Sequence, residues 1–224
     1  MTWVLVHGFT QSERSWDPIR GTLDDAVALR VPDNLDFGAT AQAFGDAGGR
    51  ANYVGYSMGG RLCLQLALDR PERVERLVLI SASPGIADDI ERAARRESDE
   101  ALAREIERDG VDVFLEGWLS QPLFATLPRE LARIDDRRAS NTVESLTHQL
   151  RALGQGAQPN NWSRLGELRM PVLLIAGGLD TKYVDIAHRM GDVIPNARVE
   201  IVDGAGHACH LERSDDVAQL LASW

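Results

Sequence analysis

The sequence has few cysteines, no long apolar run and a clear excess of acidic over basic residues. Its two cysteines, Cys63 and Cys209, cannot form a disulfide framework and lack the spacing of metal ligands. The net charge of −10 argues against nucleic acid or an anionic membrane as a partner, because the overall field would repel both. An anionic ligand would therefore have to be attracted by local arginines.

The apolar stretch near the start of the sequence is also short. Only four apolar residues, Trp3 to Val6, form the run directly before the first histidine, which is too short for a signal peptide or a membrane span. A cytoplasmic, soluble protein is therefore expected. The 224 residues, 44% hydrophobic and 26% charged, suit one globular domain that can accommodate an inserted subdomain.

Six short apolar runs have the composition of buried strands, and helical stretches separate most of them. These runs span residues 2–6, 26–31, 51–56, 76–82, 171–177 and 198–203. Their alternation with helices predicts an α/β fold with a mostly parallel sheet covered on both faces. Between residues 84 and 169 the pattern is helical only. The sequence thus predicts a core formed by residues 1–83 and 170–224 and a helical cap formed by residues 84–169.

The stretch GYSMGG contains Ser57 in a Gly-x-Ser-x-Gly motif. By average composition this motif occurs by chance in about 8 of 100 chains of this length, so the motif alone is weak. Here it follows a predicted strand and precedes a predicted helix, which is the context of a nucleophile elbow. The alternative is a glycine-rich turn with an incidental serine.

A histidine and an acid follow Ser57 in the order expected of a catalytic triad. Asp180 and His207 each lie just beyond a predicted strand, at the edge of the sheet where parallel α/β folds bind ligands. His207 would take the serine proton and Asp180 would orient the imidazole. Asp203 is the alternative candidate for the acid of the triad, but it lies directly before the loop that carries His207.

The backbone N–H groups of Phe9 and Met58 are candidates for an oxyanion hole. Phe9 belongs to the HGF stretch after the first strand, and Met58 directly follows the candidate nucleophile. His7 of the same stretch is expected to make structural hydrogen bonds, and His210 to support the histidine loop.

These motifs together resemble the α/β-hydrolase superfamily over essentially the whole chain. The sequence departs from the usual pattern of this superfamily in two places. The first strand leads directly into HGF, which normally follows the third strand, so two leading strands are missing and about six remain. The segment from Asp33 to Thr40 replaces the family's Pro-Gly-His-Gly-x-Ser loop, and its contribution to the pocket is left open.

A narrower resemblance extends from Gly55 through the cap to the histidine loop. The stretches VGYSMGGRLCLQLALDRPERV, WLSQPLFATL, GGLDTKY and DGAGHACHLE are similar to 2-succinyl-6-hydroxy-2,4-cyclohexadiene-1-carboxylate synthases of menaquinone biosynthesis. The resemblance implies a carbon–oxygen lyase that eliminates pyruvate from 2-succinyl-5-enolpyruvyl-6-hydroxy-3-cyclohexene-1-carboxylate, with Ser57 as a base acting on carbon. It implies no cofactor and no metal.

The same resemblance implies a set of substrate-binding residues. Its members are three arginines and three aromatic residues: Arg61, Arg95, Arg138, Tyr56, Trp118 and Phe124. Arg61 has support from its position as well, because it follows Ser57 by one helical turn and a guanidinium suits a carboxylate. Arg96 and Arg137 are adjacent alternatives for the other two positions, and any of the arginines could instead lie on a solvated helix face.

Two other functions stay open at this point. One is a serine hydrolase that uses the same triad on esters or vinylogous carbon–carbon bonds. The other is a non-catalytic binding protein that keeps the fold. The expected partner is a small polycarboxylate, and the expected assembly is a monomer or a weak homodimer formed through the open sheet edge.

Overall fold

The computed structural model describes residues 2–224, and its centre is one six-stranded sheet in which all neighbouring strands are parallel. The strands are β1 (Trp3–Val6), β2 (Ala26–Leu29), β3 (Ala51–Tyr56), β4 (Val74–Ile80), β5 (Val172–Gly177) and β6 (Ala197–Val202). They lie in the order β2-β1-β3-β4-β5-β6. All six predicted strands are present, and each end lies within two residues of the predicted one.

Nine α-helices lie within the described residues. They are α1 (Asp17–Arg20), α2 (Phe37–Gly48), α3 (Met58–Asp69), α4 (Asp89–Leu119), α5 (Ile134–Ser140), α6 (Val143–Leu153), α7 (Thr181–Gly191), α8 (Cys209–Glu212) and α9 (Ser214–Ala222). Helices α2, α3 and α7 cover one face of the sheet, and α1 and α9 cover the other.

Alternate residues of each strand supply the two cores. In β1, Val4 and Val6 pack into the core under α2 and α3, whereas Leu5 packs into the core under α1 and α9. Because successive strand side chains point to opposite faces, a sheet covered on both sides needs apolar residues at every position. This explains why the strands read as continuous apolar runs. The architecture is the α/β-hydrolase fold predicted from the sequence.

The two ends of the sheet are formed by β2 and β6. The first strand of the described residues is β1, which begins at Trp3. Val27 of the edge strand β2 is 42% exposed. Among the same residues, no helix is both long enough and apolar enough to cross a membrane.

The segment between β4 and β5 is helical and contains α4, α5 and α6. Its small apolar cluster joins α4 to α6 through residues such as Ile106, Phe114 and Leu146, and Phe9 of the core packs against it. Helix α4 is interrupted at Gly110, whose φ of 80° is outside the helical region. The division of the chain into a core and a cap at residues 84 and 169 stays a prediction.

Candidate active site

Ser57 lies on a strained turn between β3 and α3. Its φ of 49° and ψ of −110° are unusual for a residue with a side chain, and its N–H donates to the Ile80 carbonyl at 2.8 Å. The turn requires glycine at position 59, because a Cβ there would overlap the carbonyl oxygens of Val6 and His7. Glycine at that position lets α3 approach the sheet closely, so the serine hydroxyl is presented above the strand ends.

His207 contacts both Ser57 and Asp180. Its Nε2 lies 3.2 Å from the Ser57 Oγ, and its Nδ1 lies 2.6 Å from Oδ2 of Asp180. The histidine is 2% exposed, and Asp180 also caps the N-terminus of α7. Asp203, the alternative acid, is exposed. The geometry therefore brings together the three residues that were predicted to form the triad.

The hydrogen bonds determine which nitrogen of His207 carries the proton. An ionised carboxylate only accepts, so Nδ1 must donate to Asp180. In the neutral imidazole Nε2 then has a free lone pair and accepts from the Ser57 hydroxyl. This arrangement can remove the serine proton and leave an oxygen nucleophile or base facing the cavity.

Phe9 and Met58 flank Ser57 in the wall of the cavity. Met58 is the first residue of α3, a position whose N–H has no acceptor within the helix. The ring of Phe9 packs edge-on against Trp118, with 5.1 Å between the ring centroids. Their positions are compatible with an oxyanion hole, and that role stays a prediction.

A cavity of about 400 Å³ opens above Ser57 between the core and the segment formed by α4 to α6. Its lining includes eight of the predicted binding and catalytic residues besides Ser57 itself: Phe9, Tyr56, Met58, Arg61, Arg95, Trp118, Phe124 and His207. It also includes Arg137, which was the alternative to Arg138, and residues that were not predicted as ligands, among them Gln149, Gln155, Lys182 and Tyr183. The lining of the cavity thus combines aromatic side chains with four cationic side chains and one acidic side chain, Asp99.

Arg61 is buried in the cavity wall. It is 6% exposed, and its Nη1 donates to the Leu153 carbonyl at 2.9 Å and is 3.5 Å from Oε1 of Gln158. Among residues 2–224 it has no carboxylate partner, and its Nε and Nη2 make no hydrogen bond. Burial lowers its pKa to about 10, so the guanidinium keeps its charge at neutral pH.

The segment from Asp33 to Thr40 contributes to this site only indirectly. None of its residues lines the cavity, but the guanidinium of Arg61 lies 5.9 Å from the ring centre of Phe37. Asp36 caps α2 by accepting from the Ala39 N–H at 2.8 Å, which fixes the first helical turn, where Phe37 lies.

Arg95 lines the cavity from α4, whereas Arg96 is exposed and lies outside the lining. The Nε of Arg95 donates to Asp99 at 2.7 Å, and its Nη1 donates to Gln155 at 2.7 Å. Arg95 therefore reaches the cavity as part of an ion pair, unlike Arg61.

The placement of Arg138 in the pocket is wrong. Arg138 is exposed on α5 and forms ion pairs with Asp112, Glu116 and Asp135. Its neighbour Arg137, considered as the alternative, is 2% exposed and lines the cavity. One residue along a helix is a rotation of about 100°, which separates the solvent face from the cavity face.

Arg137 also joins α5 to the loop after β1. Its Nη1 donates to the Thr10 hydroxyl and its Nε donates to the Ala132 carbonyl at 2.7 Å. Burial lowers its pKa to about 10, and no carboxylate pairs with it among the described residues. The cavity therefore contains two buried arginines without acidic partners, Arg61 and Arg137.

The three predicted aromatic residues all face the cavity. The rings of Tyr56 and Phe124 lie 5.5 and 6.1 Å from His207, measured between centroids, and Trp118 lies 5.8 Å from Phe124. They form an apolar wall beside the triad, which would exclude water from the reacting atoms.

Lys182 and Tyr183 were not predicted, although a sequence signal for Lys182 exists. It is the only lysine in the chain, and it follows Asp180 by two residues. The Tyr183 ring lies 4.6 Å from the ring of His207. No comparable signal marks Gln155, which lies in a loop after α6.

The fold and this geometry define the class of the protein. The sequence profile of the alpha/beta hydrolase family matches residues 3–220, and the chain belongs to this family. Within it, a protein of Bacillus subtilis (strain 168) named as a candidate 2-succinyl-6-hydroxy-2,4-cyclohexadiene-1-carboxylate synthase is 36% identical over 233 residues. The match covers 94% of this chain and 85% of that protein.

Two further comparisons agree with this relationship. The synthase of the same name from Enterobacter sp. (strain 638) is 28% identical, and the match covers 98% of this chain and 89% of the relative. The structure of MenH from S. aureus superimposes with a TM-score of 0.90 at 29% identity, covering 100% of this chain and 92% of that one. The resemblance predicted from the sequence is confirmed.

Proposed function

We propose that this protein is a 2-succinyl-6-hydroxy-2,4-cyclohexadiene-1-carboxylate synthase of menaquinone biosynthesis. In this reaction the enzyme eliminates pyruvate from 2-succinyl-5-enolpyruvyl-6-hydroxy-3-cyclohexene-1-carboxylate. The names of the Bacillus and Enterobacter relatives support the proposal. The cytoplasmic location and the monomeric or weakly dimeric state belong to the same proposal.

The observation that best supports this function is that Arg61 is buried without an acidic partner. A buried charge is costly unless it is paired, yet this guanidinium has only neutral protein partners. Its Nε and Nη2 form a free two-nitrogen edge, which is the geometry that binds a carboxylate in a bidentate manner. An esterase for neutral substrates would carry this cost without a use for it, whereas a substrate with several carboxylates would supply the missing partner.

The proposed reaction begins with a proton transfer. His207 accepts the Ser57 proton, and the Ser57 oxygen removes a proton from a substrate carbon next to a carbonyl group. The electron pair of the broken C–H bond moves onto the carbonyl oxygen, where the N–H groups of Phe9 and Met58 stabilise the negative charge. Asp180 stabilises the imidazolium that forms.

The second step breaks a carbon–oxygen bond. The enolate electrons form a double bond from the deprotonated carbon to the next ring carbon. The existing ring double bond shifts toward the carbon that carries the enolpyruvyl group, and this group leaves with the electron pair of the C–O bond, so the ring then has two conjugated double bonds. The leaving group takes up one proton and becomes pyruvate, which restores Ser57 and His207 to their starting states. No acyl-enzyme forms and no water attacks, so the serine acts only as a base.

The test compares a charged and a neutral substrate. We expect Arg61→Met to lower kcat/KM for the enolpyruvyl tricarboxylate by at least about 100-fold, because a bidentate charge-assisted contact is lost. Turnover of a neutral nitrophenyl ester by the same variant should change by less than about threefold. Equal losses on both substrates would indicate structural damage and would refute a carboxylate-binding role for Arg61.

A further inference from the structure

A chain of hydrogen bonds connects Arg95 on α4 to Tyr183 on α7. Arg95 donates through Nε to Asp99 and through Nη1 to Oε1 of Gln155, both at 2.7 Å. The Nε2 of Gln155 donates to the Tyr183 hydroxyl at 2.9 Å. Gln155 therefore joins the helical segment above the cavity to the helix that begins after Asp180.

Both ends of this series of hydrogen bonds are held in place by neighbouring residues. Asp99 is 2% exposed, and its Oδ2 accepts from the Gly156 N–H at 3.2 Å. Tyr183 is 5% exposed, and its ring packs against His207 with 4.6 Å between the centroids. A side chain that bridges two such anchors has few alternative rotamers, so the position of the Arg95 guanidinium is restricted in turn.

The orientation of the Gln155 amide follows from its partners. A guanidinium has only donors, so the oxygen of the amide must face Arg95 and its nitrogen must face Tyr183. The amide is also neutral, unlike Asp99. It can therefore restrain Arg95 without cancelling the positive charge, which a second carboxylate at this position would do.

We propose that Gln155 is a positioning residue, which directs the remaining Nη2 of Arg95 into the cavity toward a substrate carboxylate. This inference rests on the proposed function in one respect, namely that the substrate is a polycarboxylate. Restraining the arginine before binding reduces the side-chain entropy lost when the carboxylate binds. The contribution of Gln155 should therefore appear in substrate affinity and not in the proton-transfer step.

The first experiment compares Gln155→Leu with Gln65→Leu. Gln65 is a suitable control because it is a buried glutamine with two side-chain hydrogen bonds, to Asp69 and Asn161, and it lies outside the cavity. We expect Gln155→Leu to raise KM for the enolpyruvyl substrate about tenfold, equivalent to about 1.4 kcal/mol, with kcat within twofold of wild type. Gln65→Leu should leave KM unchanged. An unchanged KM in Gln155→Leu, or an equal increase in both variants, would overturn the proposal.

Two further variants test whether Gln155 positions Arg95 or only stabilises the fold. Gln155→Glu keeps an acceptor for Arg95 but adds a negative charge, so its KM should exceed that of wild type. Tyr183→Phe keeps the ring beside His207 and removes only the hydroxyl, so it should raise KM by about threefold or less. In the double variant with Gln155→Leu, Tyr183→Phe should raise KM no further, because Tyr183 acts through Gln155. Additive effects, or a wild-type KM in Gln155→Glu, would contradict the proposal.

A binding measurement distinguishes failure of this inference from failure of the proposed function. Calorimetric titration with succinate, a dicarboxylate, reports on the cationic residues of the cavity without any turnover. Weaker succinate binding in Gln155→Leu than in Gln65→Leu would support the positioning role even if wild-type protein released no pyruvate. Equal succinate binding in the two variants, in a wild type that does release pyruvate, would refute the positioning role alone.

Discussion

Arg137 and Arg138 are adjacent in the sequence, but they have opposite environments. Arg137 is buried in the cavity wall without an acidic partner, and Arg138 is exposed among three acidic residues. Arg137→Met should lower kcat/KM for the tricarboxylate at least tenfold, because it removes a desolvated cation. Arg138→Met should stay within twofold of wild type, because exposed ion pairs contribute little. Steady-state pyruvate release measures both.

A control is needed because Arg137 also contacts Thr10. Thr10→Val removes this hydrogen bond and leaves the guanidinium in place, so it isolates the loop contact from the loss of charge. If Thr10→Val is as impaired as Arg137→Met, then Arg137 supports the loop after β1 instead of binding substrate.

The residues of the site differ in how well the sequence could predict them. Ser57, Asp180 and His207 follow three different strands, and parallel strands place their C-terminal ends at one edge of the sheet. Their convergence could therefore be predicted from strand positions alone. Arg137 lies on a seven-residue helix, where an error of one residue turns the side-chain direction by about 100°. Only the folded packing shows which arginine faces the cavity.

At the level of elements, α7 carries two cations with different surroundings. Lys182 lines the cavity, whereas Arg189 lies outside it, with its guanidinium 4.3 Å from the ring centre of Trp162. Lys182→Gln should reduce kcat/KM for the polyanionic substrate about threefold to tenfold and make it less dependent on ionic strength. The matched variant Arg189→Gln should change neither quantity. Equal effects of both variants would show that only the overall charge matters.

The turn between β3 and α3 depends on a close approach of the backbone. A Cβ at Gly59 would overlap carbonyl oxygens of Val6 and His7, whereas a Cβ at Gly21 would meet no atom within 4 Å. Gly59→Ala should therefore reduce the free energy of unfolding by more than about 3 kcal/mol, in the range of severe single substitutions. Gly21→Ala should leave it unchanged or raise it by about 0.4–1 kcal/mol. Urea denaturation measures both, and a stable Gly59→Ala variant would contradict this account of the turn.

The strands were easier to predict than the helical segment between β4 and β5. Strands β1 and β5 are apolar at every position because both faces of the sheet are covered there, and this pattern is clear in the sequence. Helix α4 is highly charged and α6 is amphipathic, so the sequence indicates helices but not the packing of α4 on α6. The interruption at Gly110 was also not predicted, since glycine occurs within continuous helices as well.

At the level of the whole molecule, two buried histidines should make stability depend on pH. Burial lowers the pKa of His7 to about 4 and lowers the pKa of His210 well below its ordinary value. In the unfolded chain each histidine binds a proton near pH 6.5, whereas in the folded protein it stays neutral. The free energy of unfolding should therefore be unaffected by these groups above pH 6.5. It should fall by about 1.4 kcal/mol per pH unit for each histidine between pH 6.5 and 4.

Urea titrations at pH 7, 6 and 5 measure this slope. His7→Gln should reduce the slope by about 1.4 kcal/mol per unit, and His188→Gln, which alters an exposed histidine, should leave it unchanged. A slope unaffected by His7→Gln would show that His7 does not stay neutral in the folded protein.

The distribution of charge over the molecule agrees with the proposed substrate. The chain carries a net charge of −10, yet its cavity is lined by Arg61, Arg95, Arg137 and Lys182, with Asp99 paired to one of them. The overall field would repel a polyanion at long range, so binding must depend on the cations at short range. This contrast could be anticipated from the sequence, but the identity of the cations required the fold.

The central claim is that Ser57 removes a proton from carbon and causes elimination. The most direct measurement follows two products at once when purified protein is incubated with the enolpyruvyl substrate: pyruvate, and the ultraviolet absorbance of the conjugated cyclohexadiene. Both products should appear in a one-to-one ratio, and Ser57→Ala should form neither. Pyruvate without the diene, or no pyruvate above the Ser57→Ala control together with fast nitrophenyl ester turnover, would contradict this claim.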